Sequence, residues 1–169
     1  MKRLAKTLIM TTIIFTFCLT GTGFSLSPVS AAEDEALKDI SSAKAIFDVR
    51  IGQPMSALTH LKLIHQTHRD LLADKKDPRF IVEFIGPSVK LITTNRKGFT
   101  PEDTKALDDI AATISAMAKD GIKMEICVFA AKIYNVDPAS VLPEIQKVPN
   151  GWTSLIGYQA KGYSLVPAY

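Results

Sequence analysis

The chain has 169 residues, 20 basic against 17 acidic, and only two cysteines. Lys2, Arg3 and Lys6 all precede the first acid, so the chain beyond them carries 17 residues of each sign and no basic field of the kind that grips nucleic acid. The length fits one domain with a real core, and two cysteines exclude a scaffold held by several disulfides.

The chain opens as an export signal. A basic start is followed by an apolar run from Leu8 to Leu19 and then by small residues ending Val29-Ser-Ala-Ala32. This predicts a signal peptide over residues 1–31 and a periplasmic or secreted protein. An uncleaved anchor is the alternative, but the run is short of the roughly 20 apolar residues a spanning helix needs. No later stretch could span a membrane. Cys18 follows Phe17 rather than small residues, which argues against a lipid anchor, so it is expected to leave with the signal. Cys127 then remains as a single thiol that cannot form an internal disulfide.

Residues 32–42 read as a polar, acidic leader, and residues 43–169 as the domain. Lys44-Ala-Ile-Phe-Asp-Val-Arg50 is a first strand buried on both faces, ended by Gly52 and Pro54. Met55, Leu58, Leu61, Ile64, His68, Leu71 and Leu72 then form the inner stripe of a helix. Arg79-Phe-Ile-Val-Glu-Phe-Ile85 is the second strand, turned by Gly86-Pro87. Residues 88–94 read as a short helix. Thr100-Pro-Glu-Asp103 starts a longer one, with a capping hydroxyl, a first-turn proline and acids at the positive dipole end. Leu107, Ile110, Ala111, Ile114, Met117 and Ala118 make its stripe, and Gly121 stops it.

Residues 122–128 are the third strand and run straight into a brief helix over 129–134. Asp137-Pro138 starts a further turn, and residues 145–148 suit a minor strand. Asn150 caps a last helix with Trp152, Leu155 and Ile156 inward, and Tyr163-Ser-Leu-Val166 closes as a strand. Strands alternating with helices predict a mainly parallel α/β sheet with helices on both faces. Ligands of such sheets sit beyond the carboxyl ends of the strands, where Cys127 falls and where the loops at Arg50 and Gly86-Pro87 belong.

The segment Glu125-Ile-Cys127-Val-Phe-Ala-Ala-Lys-Ile-Tyr-Asn-Val136 resembles the cysteine segment of the DsrE/DsrF-like sulfur-relay proteins, including the TusD type. Ala45-Ile-Phe-Asp48, Phe84-Ile-Gly86-Pro87, Gly121-Ile-Lys-Met-Glu125, Val148-Pro-Asn-Gly-Trp152 and Gly162-Tyr-Ser-Leu-Val-Pro167 come in the family's order. The resemblance spans about residues 43–167. It implies a three-layer α/β/α fold with a five-stranded, mainly parallel sheet, and a homo-oligomer. It also implies that Cys127 accepts sulfane sulfur as a persulfide and passes it on. The partners would be a sulfane-sulfur donor and an acceptor, protein or small thiol; no cofactor or resident metal is expected. The export signal sets this chain apart from the cytoplasmic relay proteins and aligns it with stand-alone exported DsrE-like proteins.

Such chemistry needs a thiolate, which a helix N-terminus favours through amide donors and its positive dipole end. Lys132 would add positive charge if it folds back. Three readings stand for Cys127: a reactive carrier facing the crevice, a core cysteine packed with Ile126 and Val128 in a non-catalytic binding module, or a thiol redox sensor that pairs between chains. His65 and His68 share a helix face, but no glutamate or cysteine stands with them as in a zinc motif, so packed histidines are expected. Arg50 could hold an anion, though an ion pair fits it better. Trp152 and Tyr158 suit core or subunit packing. No phosphate-binding loop, Gly-x-Ser-x-Gly elbow or second acidic motif is apparent.

Overall fold

The computed structural model describes residues 35–169. The expected signal peptide, Cys18 and the first leader residues lie outside the described residues. The chain divides into two compact units, Met1–Lys38 and Asp39–Tyr169. Of the first, residues 35–38 are described, and they form part of a helical turn. The second holds the entire sheet.

Five parallel strands make that sheet: β1 (Ser42–Val49), β2 (Asp77–Phe84), β3 (Lys123–Cys127), β4 (Gln146–Val148) and β5 (Ser164–Ala168). Their spatial order is β4-β3-β2-β1-β5. Four helices connect them: α1 (Pro54–Ala73), α2 (Pro101–Lys119), α3 (Val128–Ile133) and α4 (Gly151–Ala160). The three inner strands, β1, β2 and β3, are rich in apolar residues because both faces are covered. Ile46, Val49, Val82, Phe84 and Ile126 are all buried.

Chain direction explains which helix lies on which face. The chain steps from β1 to β2 to β3 in one direction, then returns from β4 across the whole sheet to β5. Parallel crossovers are right-handed, so reversing the direction of travel moves the helix to the other face. Accordingly α1 and α2 pack together on one side, where His68 and Phe47 both meet the ring of Phe80 edge-on at 5.4 and 4.9 Å. Helix α4 lies on the other side, against β1, β2 and β3. This is the three-layer arrangement expected, with every strand pairing parallel.

Local signals account for most boundaries. Thr100 Oγ1 accepts from Asp103 N at 3.1 Å and Asp103 Oδ2 accepts from Thr100 N at 3.4 Å, a reciprocal capping box at the start of α2. Gly121 comes just after α2 with φ 82°, a conformation that favours glycine. The loops after β1 and β2 do share one edge: Ser88 Oγ donates to Val49 O at 2.8 Å, and Ile85 N donates to the same carbonyl at 3.0 Å.

Several expectations need correction. Met55 and Leu72 are exposed, because α1 turns Ala57, Leu58, Leu61, Ile64, His65, His68 and Leu71 inward instead. Residues 88–94 hold no α-helix: a 3-10 turn over Gly86–Lys90 gives way to a bridge between Thr93 and Val141. β1 begins at Ser42, inside the expected leader, and β5 runs on to Ala168. Trp152 and Ile156 face outward on α4, whose inner side is Gly151, Ser154, Leu155 and Tyr158.

Candidate functional site around Cys127

Cys127 is both the last residue of β3 and the N-cap of α3. An extended backbone at the cap lets the side chain turn back over the first turn, and Sγ accepts from Ala130 N at 3.3 Å. A second strut, Phe129 N donating to Pro149 O at 3.2 Å, ties α3 to the segment leading into α4. The strand-to-helix junction is therefore as expected, and it gives the sulfur one amide donor. The thiol is free and the residue only 3 % exposed, so the sulfur is nearly covered. Lys132 is exposed on α3, and among the described residues no contact between it and the cysteine is present.

The feature missed from sequence is a row of acids beside the thiol. Asp48 on β1, Glu83 on β2 and Glu125 on β3 occupy one register across three adjacent strands. Parallel pairing in register puts all three on the same face, and all are buried, at 2 %, 0 % and 4 % exposed. Cys127 lies two residues beyond Glu125, on that same face. The signal was present, one acid inside each of three apolar strands. Its meaning depends on register, which no local pattern reports. The expectation of no second acidic motif is thus corrected.

Like charges opposite one another destabilise a sheet, so each acid needs an answer. Asp48 takes Arg50, whose Nε lies 2.9 Å from both carboxylate oxygens, and accepts from Tyr169 Oη at 3.4 Å. Glu125 accepts from Ser154 Oγ at 2.7 Å and Tyr158 Oη at 2.8 Å, both from α4. Glu83, in the middle, has no cation or hydroxyl, and neither carboxyl oxygen has a donor from the rest of the described protein. Burial, reinforced by Glu125 and then by Cys127 and Asp48, pushes its carboxyl up to about 9, so it is protonated at neutral pH. That proton makes Glu83 a donor, and Glu125, opposite it on β3, is the acceptor within its row. Burial and the Glu125 carboxylate also raise the Tyr158 phenol, so it stays a donor.

Helix α4 closes over this row at very short range. A Cβ on Gly151 would stand 2.4 Å from Glu83 Oε1 and 2.9 Å from Ile85 Cδ1 and Cγ1. Only a residue without a side chain lets the helix start so near the carboxyl.

Arg50 is engaged as an ion pair with a buried partner rather than left open for an anion. Tyr158 packs edge-on with Tyr163, at 5.1 Å between centroids, while Trp152 is exposed. His65 and His68 lie on the α1–α2 side of the sheet. His65 Nε2 donates to Asp120 Oδ2 at 2.6 Å, and His68 packs against Phe80. Among the described residues no group of three or more His, Cys, Asp or Glu is arranged to hold a metal. A shallow groove of about 800 Å³ on this side, lined by Lys62, Gln66, Arg69 and Asp109 among others, includes none of the residues around Cys127.

Known proteins resemble this chain in sequence and in fold. An uncharacterized protein of Aquifex aeolicus is 26 % identical over 128 residues; the alignment covers 75 % of this chain and 56 % of that protein, so this chain spans about half the relative's length. A protein of unknown function from Methanobacterium thermoautotrophicum, MTH1491, superposes with a TM-score of 0.57 at 14 % identity, over 74 % of this chain and 98 % of that one. The ychN protein from E. coli superposes with a TM-score of 0.46 at 11 % identity, over 73 % of this chain and 98 % of the other. The sequence pattern of the DsrE/DsrF-like family matches residues 59–167, from within α1 to within β5, and includes Cys127 and two of the three acids. The chain therefore belongs to the DsrE/DsrF-like family, and at the level of that family its membership suggests sulfur relay.

Proposed function

We propose that the protein is an exported, periplasmic sulfur carrier that holds sulfane sulfur as a persulfide on Cys127. The observation that carries this reading is the placement of a free cysteine at the junction of β3 and α3, with its sulfur accepting from the first turn of the helix. The carrier cycle needs little else. The Cys127 thiolate attacks the outer sulfur of a donor persulfide, the donor leaves as a thiolate, and the sulfur stays on Cys127 until an acceptor thiol attacks it in turn. No acid–base triad is required, because both leaving groups are thiolates.

Export is supported by the basic, apolar and small-residue succession of residues 1–32. Assembly with further copies is supported by four large apolar side chains left exposed on adjacent helices: Phe129 and Ile133 on α3, Trp152 and Ile156 on α4. A donor must reach a sulfur that is nearly covered, so transfer on this reading involves an opening of the α3–α4 region. The deciding experiment is intact mass after incubation with a sulfane-sulfur donor. Wild type is expected to gain one sulfur and Cys127→Ser none. If no donor leaves an adduct and the native thiol resists alkylation, Cys127 is a packing residue and the carrier reading falls.

A further inference from the structure

Glu83 is the one buried acid in the row with no counterpart of its own. Five groups that titrate or carry charge stand around it. From β1 come Asp48 and the Arg50 held on it; from β3 come Glu125 and Cys127; from α4 comes the Tyr158 hydroxyl held on Glu125. The only cation among them already shares its Nε between both carboxylate oxygens of Asp48. Nothing in this set neutralises Glu83 except a proton, and Glu125 opposite it has just the lone pairs to accept one. Gly151 seals the arrangement from the α4 side, at a range no side chain could share.

We propose that Glu83 is a positioning residue for Cys127: with Glu125 it holds one proton behind the sulfur, so that a thiolate or persulfide formed there faces one negative charge rather than two. The proposal rests on the carrier reading for its purpose, though not for its geometry. When Cys127 ionises, its own proton goes to solvent and Glu83 keeps the shared one. If Glu83 also ionises, three negative groups share a buried site. The two ionisations therefore oppose each other, like charges being brought together in one buried site. Coupling between two sites is reciprocal, which makes the proposal measurable from either end.

The experiment compares the full chain with Glu83→Gln and Cys127→Ser. Glutamine keeps the shape and the donor toward Glu125 but has no proton to lose. Infrared absorption of a protonated carboxyl should be present in wild type at neutral pH and absent in Glu83→Gln. In Cys127→Ser it should be lost at lower pH than in wild type, because no thiolate is then present to oppose the ionisation of Glu83. Ultraviolet thiolate absorbance, taken as the difference from Cys127→Ser, should rise at lower pH in Glu83→Gln than in wild type. The two displacements should agree in size, at about one pH unit or more for groups coupled this closely. Absence of the carboxyl band in wild type, or a thiolate titration unmoved in a folded Glu83→Gln, overturns the proposal. Should Glu83→Gln fail to fold, the comparison of the carboxyl band in wild type and Cys127→Ser still decides. A coupled titration with no sulfur adduct on Cys127 overturns the carrier reading alone; an adduct without coupling overturns this inference alone.

Discussion

At Glu83 the sheet buries a carboxyl with no ion-pair partner among the described residues, and folding must then favour its protonated form. The folded value of about 9 lies above the ordinary one, so between about 4.5 and about 9 the folded state binds a proton that the unfolded chain has released. Stability from this group is complete at the acid end of that window and is lost as pH rises through it, at about 1.4 kcal/mol per pH unit. Chemical denaturation of wild type and Glu83→Gln across this range should show the variant gaining on wild type as pH rises. Parallel curves would mean that Glu83 is ionised in the folded protein. His68 acts in the opposite sense. Burial lowers its value below 6.5, with His65 adding to the effect and Asp120 opposing it, so the folded state holds the ring neutral. Its contribution is intact above pH 6.5 and is lost as pH falls below that value. Replacing His68 by Phe, in a site already facing Phe80, should flatten the acid limb of the stability profile.

Among the elements, α4 is held by the closest tolerances. Gly151→Ala forces either the helix or the Glu83 and Ile85 side chains to move, at a cost of about 1–3 kcal/mol by analogy with overpacked cores. Thermal unfolding should register that loss, while Gly157→Ala, with open space around its Cβ, should not. At α2 the capping box predicts about 1 kcal/mol lost in Thr100→Ala. These two helices also mark what is legible in sequence. The start of α2 is legible because its cap is local, four consecutive residues each with a reason to be there. The face of α4 is not: Trp152, Leu155, Ile156 and Tyr158 surround a ten-residue helix with bulky side chains, and periodicity cannot choose among them. The choice is made by Glu125, on β3, which needs the Ser154 and Tyr158 hydroxyls. The three inner strands are legible as apolar runs and the cysteine as the end of one of them. The acid row is not, since it exists only once Asp48, Glu83 and Glu125 are paired in register.

At the scale of the whole molecule, the exposed apolar residues of α3 and α4 bear on assembly. If Phe129, Ile133, Trp152 and Ile156 cover a partner copy, the double variant Trp152→Glu with Ile156→Lys should elute as a smaller species in size-exclusion chromatography with light scattering. An unchanged mass would place the contact elsewhere or show that the wild type is a monomer.

The strand order carries a consequence for the making of the protein. β1 lies between β2, the next strand in the chain, and β5, which begins at Ser164. A chain leaving the ribosome can pair one edge of β1 early. The other edge stays an open template of amides and carbonyls until Ser164–Ala168 emerges. During that interval Asp48 has no Tyr169, and Arg50 N lacks the carbonyl of Ala168. The oldest strand of the sheet is thus the last to be closed. A ligand or chaperone that adds a strand to β1 would compete with β5 only in the nascent chain, and deleting Ser164–Ala168 should turn that passing vulnerability into a permanent tendency to aggregate.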